Sequence, residues 1–333
     1  MEAIAKREHL NLIGVDIGGA TTDVFSVFEG AFNRTVSANL GMSYSVSNVL
    51  AEPGLANIMR WVPFTIDEQT LRNRIKNKMI RPTTIPQTLD ELQIEQAIAR
   101  EALRLALIHH KSLATGLKGV QQERTISDVF EQQASGKSLI DMLKLDLIVG
   151  SGGILSHAPR RIQSMLMMVD AYEPMGCTRV SVDSIFMMPH LGVLSTINEK
   201  AATDVFVRDC MVYLGTCVAP IGQGKDGEVC ADVEITWPDG KLTKEQLKFG
   251  ELKLFPLEAE QKATIKVQPA KGVNMGAGAG VAVTKDVHGG VVGLLLDGRG
   301  RPLKLPAEQQ ARVASLTKWF DAVGLYPGSS TER

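Results

Sequence analysis

The sequence predicts an α/β protein in which an α/β layer is followed by a smaller, β-rich region. Three observations support this fold class. An apolar strand at 146–150 runs through glycines into a helix at 160–172, which is the order expected of an α/β layer. Residues 11–40 read as short strands of an antiparallel meander. After residue 204, short alternating segments separated by turn residues replace the helical pattern.

Length and composition are those of an ordinary globular protein. The 333 residues suggest about two domains, and the change in pattern puts the boundary near residue 203, giving domains at 1–203 and 204–333. Hydrophobic residues make up 44% and charged residues 22%, which provides enough apolar material for a sizeable core. A net charge of -1 gives no basic excess to hold nucleic acid or an anionic membrane, so neither is favoured as a partner.

Targeting and zinc-binding signals are weak in this sequence. The first ten residues lack the apolar segment of a secretory signal, and no run approaches the roughly 18 apolar residues of a membrane span. The four cysteines contain no CxxC pair, which argues against a zinc site. We therefore expect a protein of the reducing cytoplasm.

The clearest helix is predicted at 90–110. Its apolar side chains fall mainly on one broad stripe, as expected of a helix that packs on a core. Asp90 is a suitable N-cap, and His109 and His110 occupy the helix end where positive charge is favourable. Two adjacent histidines at a helix end are expected to be solvated.

Later segments predict strands, a glycine-rich turn and a terminal helix. Residues 179–189 read as a strand and turn, and an amphipathic helix is predicted at 307–324. The segment DGRGRPL (297–303) permits either an anion site at Arg299 and Arg301 or a turn whose arginines are solvated. The solvated turn is favoured.

The stretch VDIGGATTDV (15–24) carries the strongest functional signal. It follows an apolar strand and lies between two strands that are predicted to form a hairpin. Gly18 and Gly19 let the backbone turn sharply and approach a ligand without an intervening Cβ atom. Successive N–H groups then point into one concavity that suits a phosphate oxygen, and the hydroxyls of Thr21 and Thr22 add donors.

The two aspartates of this stretch form a candidate metal site. A carboxylate cannot favourably meet a phosphate directly, whereas Asp16 and Asp23 are suitable beside a magnesium ion that keeps its waters and bridges to phosphate. The stretch therefore predicts a magnesium–phosphate site with these two residues at the metal. The alternative is a hairpin turn that carries polar side chains without a ligand.

A second glycine-rich turn, VGSGGILSHAP (149–159), follows a predicted strand. Gly150, Gly152 and Gly153, with Ser151 among them, lie where the backbone can rest against a bulky ligand near the positive end of a helix. Strand–glycine–helix turns are common, so this signal alone is weak. In combination with the first motif, it predicts a nucleotide site.

Both motifs resemble those of a known superfamily. DIGGATTD (16–23) resembles the second phosphate motif of the actin-like ATPases, which include heat-shock ATPases and sugar kinases, and GSGGILSHAP (150–159) resembles their adenosine motif. Together with LLDGRGRPL (295–303), these segments are most similar to the glutamate-mutase accessory family, called MutL or GlmL. The resemblance covers most of the chain and is strongest at 11–40 and 146–196.

The resemblance implies a fold, a function and a set of site residues. The implied fold is a ribonuclease-H-like lobe of an actin-like ATPase, and the implied function is ATP-driven reactivation of adenosylcobalamin-dependent mutases by release of damaged cofactor. The implied cofactors are ATP and Mg²⁺, and the implied partner is the mutase. Asp16 would hold the water network of the magnesium ion as the catalytic residue. The implied nucleotide-binding residues are Gly18, Gly19, Thr21, Thr22, Asp23, Gly150, Ser151, Gly152 and Gly153.

One departure from the superfamily pattern concerns the first ATPase lobe. The superfamily carries an earlier phosphate motif of the DxGxT type in an N-terminal lobe, and this sequence has only the second motif. Residues 1–12 resemble the end of the helix that connects the lobes. We expect the first lobe to come from the same gene or from another chain. Because a cleft needs both walls to exclude water, weak nucleotide binding and little or no hydrolysis are expected of this chain alone.

Two other functions remain open on the sequence. Hydantoinase and oxoprolinase large chains have a similar DxGGTTxD motif and couple ATP to ring opening, but their substrate-site residues are not recognisable here. The other is a binding module that keeps the ATPase fold without turnover. The reactivating chaperone is the favoured hypothesis.

Overall fold

The structure, a computed structural model, describes residues 1–52, 54–115 and 138–326, and its strands form two sheets. The strands are β1 (Leu12–Ile17), β2 (Thr22–Phe28), β3 (Ala31–Ser37), β4 (Leu147–Ser151), β5 (Gly176–Asp183), β6 (Met211–Ala219), β7 (Val229–Thr236), β8 (Leu242–Lys248), β9 (Leu252–Phe255), β10 (Lys262–Pro269), β11 (Val283–His288) and β12 (Gly293–Asp297).

The larger sheet has eight strands in the order β3-β2-β1-β4-β5-β6-β12-β9. Strands β1, β2 and β3 pair antiparallel, which confirms the predicted meander. Strand β4 runs parallel to both β1 and β5. Because the carboxyl ends of parallel strands meet at one edge, the loops that follow β1, β4 and β5 lie together there.

Helices cover both faces of the larger sheet. The helices are α1 (Glu2–Glu8), α2 (Val46–Ala51), α3 (Leu55–Met59), α4 (Glu68–Ile80), α5 (Leu89–Leu113), α6 (Gly153–Ser156), α7 (Arg161–Tyr172), α8 (Met188–Ser195), α9 (Glu199–Val205) and α10 (Gln309–Ala322), with a π-helical turn at Phe206–Cys210. Helices α5 and α7 pack together in the main core, whereas α1 and α9 contribute to a separate apolar cluster against β1 and β4.

The smaller sheet has the order β11-β10-β7-β8 and its own apolar core. Strands β6, β9 and β12 join the larger sheet, so that sheet takes strands from both sides of residue 203. The domain boundary expected near that residue stays a prediction. The mixed α/β architecture confirms the predicted fold class, and the ribonuclease-H-like assignment stays a prediction.

Helix α5 begins with a capping box instead of the expected aspartate cap. Thr88 Oγ1 accepts a hydrogen bond from the backbone N–H of Glu91 at 3.3 Å, and Glu91 Oε2 accepts from the backbone N–H of Thr88 at 3.3 Å. These reciprocal bonds satisfy two N–H groups that the helix leaves unpaired. The prediction of Asp90 as N-cap was therefore wrong by two residues.

His110 is fully buried, which contradicts the expectation that both histidines of α5 are solvated. Its Nδ1 atom lies 2.8 Å from Thr35 Oγ1, and its Nε2 atom lies 2.8 Å from Ser26 Oγ. The ring thus joins α5 to β2 and β3. His109 remains exposed, with Nδ1 3.0 Å from Ser37 Oγ.

Acidification is expected to destabilise the protein through His110. Burial, and to a smaller extent the neighbouring His109, lowers the pKa of His110 from 6.5 to about 4. The unfolded chain takes up a proton below pH 6.5 while the folded chain resists it, so the free energy of unfolding falls by about 1.4 kcal/mol per pH unit in that window. Denaturant unfolding at several pH values should give a shallower slope for His110→Gln than for the wild type between pH 6.5 and 4. Equal slopes would contradict this assignment.

Arg299 and Arg301 lie in a buried ionic cluster, so the prediction of a turn with solvated arginines was wrong. Arg299 donates to Asp170 at 2.8 Å and to both carboxylate oxygens of Asp297 at 2.9 and 2.8 Å. Arg301 donates to Asp297 at 2.7 Å, and Arg100 of α5 donates to the other oxygen of Asp170 at 2.7 Å. The local sequence could not indicate this cluster because Asp170 and Arg100 come from distant helices.

Two further features bear on the sequence predictions. No helix in the described part of the chain is both long and apolar enough to cross a bilayer. The four cysteines are all free thiols.

Candidate functional site

The two glycine-rich loops meet at the carboxyl ends of β1 and β4. Asp16 and Ser151 are Cα partners in the parallel pairing of these strands. Gly152 has φ +98°, and a Cβ atom placed on it would lie 2.1 Å from the carbonyl oxygen of Ile17. Only glycine permits so close an approach at this backbone conformation. The structure thus brings together the two loops that the sequence singled out separately.

The first loop is held from behind by the segment that follows β3. Gly18 donates its N–H to Thr21 O at 2.8 Å, closing the turn. Met42 and Ser43 donate their N–H groups to the carbonyl oxygens of Gly18 and Gly19 at 3.0 and 2.8 Å. These bonds fix the loop and engage the carbonyl groups of Gly18, Gly19 and Thr21.

The backbone N–H groups of residues 19–21 have no backbone acceptor within the described ranges. Three consecutive N–H groups in a tight turn form a concave arrangement of donors that suits an anion. The carbonyl oxygens of Gly18 and Gly19 already accept hydrogen bonds, whereas these N–H groups have no backbone acceptor among the described residues. The phosphate-binding role of the stretch at 15–24 stays a prediction.

The two threonines of the first loop differ in their environment. Thr22 is fully buried, and its hydroxyl donates to the carbonyl oxygen of Leu40 at 2.5 Å. Its hydroxyl hydrogen is therefore engaged in closing the hairpin. Thr21 is half-buried, and its hydroxyl has no hydrogen-bond partner among the residues described. Of the two hydroxyls, that of Thr21 is the one available to a ligand.

Three carboxylates gather beside the loops. Asp16 and Asp23 are Cα partners across the β1–β2 pairing, and Asp183 lies at the end of β5. Burial, followed by the charges of Asp23 and Asp183, raises the pKa of Asp16 to about 6. One oxygen of Asp16, Oδ1, is buried and has no hydrogen-bond partner in the described part of the chain.

The other two carboxylates already have partners. Asp23 accepts two hydrogen bonds from Arg34, at 2.8 and 3.2 Å. Asp183 Oδ2 accepts from the backbone N–H of Met188 at 2.7 Å and from Ser151 Oγ at 3.4 Å. The unpaired oxygen of Asp16 is therefore the strongest candidate metal ligand of the three.

The donor set fits a magnesium ion better than a metal held by protein alone. No group of three or more His, Cys, Asp or Glu side chains in the described residues could hold a metal ion. Magnesium is usually bound by one or two carboxylates together with phosphates and several waters. The buried, unpaired Asp16 Oδ1 atom fits this role, with Asp23 as the second carboxylate.

Two cavities flank the first loop. A cavity of about 570 Å³ is lined by Gly18, Gly19, Ser43, Gly153 and His157, together with the loop that precedes α5. Its volume is within the range of small-molecule sites. The two predicted metal-binding aspartates line a different cavity, of about 770 Å³, between the sheet and α8. The predicted glycines and carboxylates thus occupy opposite sides of one loop.

Gly150 and Ser151 have structural roles at their positions. A Cβ atom on Gly150 would lie 2.5 Å from Met168 Sδ and 2.9 Å from Leu155 Cδ1, so this glycine permits α7 to pack closely on β4. Ser151 is fully buried beside Asp183. Gly153, by contrast, has open space where its Cβ atom would be, and it lines the smaller cavity.

The sequence analysis did not identify three residues of this site. Asp183 is the third carboxylate. Its only signal in the sequence was its position at the end of a predicted strand. Ser43 supplies a wall of the smaller cavity from the segment after β3. Gln96 of α5 also lines that cavity, and its buried Nε2 atom has no partner among the described residues.

Comparison with known proteins places the site within one family. A family model described as MutL protein matches residues 1–210, which include both glycine loops and strands β1 to β5. The chain belongs to the MutL protein family. The predicted resemblance to a MutL-type family is thereby confirmed.

A curated MutL relative matches a smaller part of the chain. Over 164 residues the chain is 28% identical to Protein MutL of Clostridium tetanomorphum, which corresponds to 44% of this chain and 33% of the relative. The matched segment thus spans about a third of that relative's length. The match therefore does not by itself assign the function of the whole MutL protein to this chain.

Proposed function

We propose that this chain is the ATP-binding part of a reactivating chaperone for adenosylcobalamin-dependent mutases of the glutamate type. The observation that carries the ATP-binding proposal is the contact between the two glycine loops, with unpaired N–H groups in one of them and an unpaired Asp16 oxygen beside it. Phosphate recognition needs donors, and magnesium needs an oxygen ligand. Both are present at one loop, where Gly18 and Gly19 line the smaller cavity and Asp16 lines the larger one.

Each loop has a separate role in this proposal. The N–H groups of residues 19–21 and the Thr21 hydroxyl bind the outer phosphates. Gly152 and Gly153 lie against the adenosine, whose base occupies the cavity of about 570 Å³. Asp16 would hold a magnesium ion, which would supply positive charge beside the phosphates.

A further lobe is proposed to cover the carboxylate side of the loop. The sheet face beside Asp16 and Asp23 carries Phe32 and Val36, which are 41% and 44% exposed. Apolar side chains on a sheet face are normally covered by another layer. The open cavity of about 770 Å³ lies over this face, and the match covers only a third of the MutL relative. Because a cleft needs both walls to exclude water, weak nucleotide binding and little or no hydrolysis are expected until that lobe is in place.

Calorimetric titration with ATP in the presence and absence of Mg²⁺ tests the nucleotide proposal. We expect weak binding that strengthens with Mg²⁺, and a loss of this Mg²⁺-dependent gain in Asp16→Asn. Asp209→Asn is the matched control, because Asp209 is exposed and pairs with Arg208. Rapid ATP turnover by the isolated chain, or an unchanged Mg²⁺ effect in Asp16→Asn, would contradict the proposal.

Asp16→Asn is also expected to stabilise the protein near pH 7. The pKa of Asp16 is raised from 3.8 to about 6, so the folded state disfavours the ionised carboxylate. This cost is present above pH 6 and disappears as the pH falls toward 3.8. Removing the charge should raise the free energy of unfolding by about 1–2 kcal/mol, with allowance for partial solvent screening. Denaturant unfolding at pH 7 and pH 4 should show this gain at pH 7 alone.

The mutase proposal rests on the family resemblance and has its own test. We expect the chain to associate with an adenosylcobalamin-dependent glutamate mutase in a pull-down with purified proteins. The full-length protein should then release cobalamin from the inactivated mutase only when ATP is present. Absence of association, with nucleotide binding intact, would refute the mutase partner and leave the ATP site standing.

A further inference from the structure

A second cationic site lies at the other end of the larger sheet. Arg179 is near the amino end of β5, where its Cα partners are Leu147 at the start of β4 and Thr216 of β6. The glycine loops follow the carboxyl ends of β1 and β4. Arg179 is therefore separated from the proposed nucleotide site by the length of the parallel strands.

The guanidinium of Arg179 is half-buried and forms no hydrogen bond or ion pair with any side chain or backbone group that the structure describes. Its Nε atom is buried and has no acceptor. Burial lowers the pKa of Arg179 below its usual value. A cation that has lost part of its hydration without gaining a partner is costly, so such a group is normally paired.

Tyr213 fixes the plane of this guanidinium. The Cζ atom of Arg179 lies 3.4 Å from the centroid of the Tyr213 ring, so the two groups are in contact. Stacking of this kind occupies a face of the guanidinium and leaves its edge of N–H donors for another group. The tyrosine therefore positions the cation without satisfying its hydrogen bonds.

Two other basic residues, His288 and Lys262, lie near Arg179. Thr216 Oγ1 donates to the backbone carbonyl of His288, at the end of β11, at 2.7 Å and accepts from its backbone N–H at 3.2 Å. Thr216 is the strand partner of Arg179. Lys262 is the Cα partner of His288. Burial, followed by the charges of Arg179 and Lys262, lowers the pKa of His288.

The nearby carboxylates are already engaged. Asp286 accepts a hydrogen bond from Thr264 Oγ1 at 2.8 Å. Glu8, whose charge acts on Tyr213, pairs with Arg7 at 2.9 Å. Asp286 acts on His288 through its charge, but no carboxylate of the described residues forms an ion pair with Arg179.

We propose that Arg179, assisted by His288 and Lys262, binds a small oxyanion, either a carboxylate or a phosphate group. The edge of the guanidinium presents paired N–H donors that match two oxygens of such a group. His288 adds a ring N–H donor, and Lys262 adds positive charge. The site is independent of the nucleotide loops, and no covalent step is involved.

A purely structural role for Arg179 makes a different prediction. If the residue only packs on Tyr213, Arg179→Gln lowers the melting temperature in every buffer. If Arg179 serves to bind an anion, Arg179→Gln is at least as stable as the wild type in chloride buffer, because an unpaired cation has been removed. The wild type then gains melting temperature when the anion is added, and the variant does not.

The experiment titrates succinate and inorganic phosphate separately, at constant ionic strength, and records heats of binding and melting temperatures. Arg208→Gln is the matched control, because this exposed arginine pairs only with its neighbour Asp209. We expect millimolar binding by the wild type and the control, and at least about tenfold weaker binding by Arg179→Gln. His288→Gln should weaken binding by a smaller factor, about two- to fivefold, with its melting temperature unchanged.

Each outcome has a defined meaning. If Arg179→Gln loses succinate binding alone, the ligand is a carboxylate. If Arg179→Gln loses phosphate binding alone, the ligand is a phosphoryl group. Phosphate binding that persists unchanged in Arg179→Gln belongs to the glycine loops and does not support this site. The proposal is overturned if neither anion binds the wild type, if Arg179→Gln binds both as well as the wild type does, or if the variant is less stable in chloride buffer.

Discussion

Asp297→Asn is expected to lower the free energy of unfolding by about 3–5 kcal/mol. Asp297 is fully buried and accepts hydrogen bonds from Arg299 and Arg301. Burial alone raises the pKa of this carboxyl, but the two guanidiniums overcome that effect and hold its pKa well below the usual range. Removing the charge leaves buried Arg301 without a carboxylate and Arg299 with Asp170 alone, and breaking such a pair costs more than forming it contributes.

Equilibrium unfolding in urea measures this loss, and Asp239→Asn provides the control. Asp239 lies in an exposed turn, where its carboxylate accepts a hydrogen bond from the N–H of Lys241. The control should stay within about 0.5 kcal/mol of the wild type. A loss of less than about 1 kcal/mol in Asp297→Asn would show that the cluster contributes little to stability.

Gly152→Ala is expected to destabilise the protein by about 2–4 kcal/mol and to abolish nucleotide binding. The added Cβ atom would lie 2.1 Å from Ile17 O and 2.8 Å from Ile17 C, both backbone atoms that cannot rotate away. The backbone at φ +98° would also be strained by any side chain. To relieve the clash, the β4 loop must move away from the β1 loop, which separates the two halves of the proposed site.

Gly153→Ala is the stability control for this prediction. Nothing lies within 4 Å of the position of its Cβ atom, so the fold should tolerate the methyl group. Melting temperature and urea unfolding should therefore change strongly in Gly152→Ala and by at most about 0.5 kcal/mol in Gly153→Ala. Equal stability of the two variants would mean that the loops are not held in contact.

Local patterns in the sequence predicted the elements around the site. The strands within 11–40, the strand at 146–150 and the glycine turn after it were correctly predicted, because each depends on residues close in the chain. The contact between the two loops could only be expected from the family resemblance. It depends on the parallel pairing of β1 with β4, which no local pattern encodes.

Long-range contacts account for the predictions that were wrong. His110 was expected in solvent because Ser26 and Thr35, whose hydroxyls bond its two ring nitrogens in the core, lie on distant strands. Arg299 and Arg301 looked like residues of an exposed turn because Asp170 is on α7. In each case the charge or polarity of the residue was visible in the sequence, and its partner was not.

The return of the chain to the larger sheet could not be predicted for the same reason. Strands β6, β9 and β12 lie in the half of the sequence that was predicted to be β-rich, yet they pair in the larger sheet. Sequence alternation indicates that a segment is a strand but does not indicate its neighbour. The sequence therefore predicted that the second half is rich in strands, but it did not predict how those strands are arranged in the two sheets.

The measurement that tests the central claim most directly is amide hydrogen exchange with and without Mg–ATP. The claim is that the backbone of residues 18–22 and the turn at 150–153 together hold the nucleotide. We predict slower exchange at residues 19–21, whose N–H groups are unpaired without ligand, and at residues 152–157, with no change in β7, β8 and β10. Saturating nucleotide that protects neither loop, or only one of them, would contradict the claim.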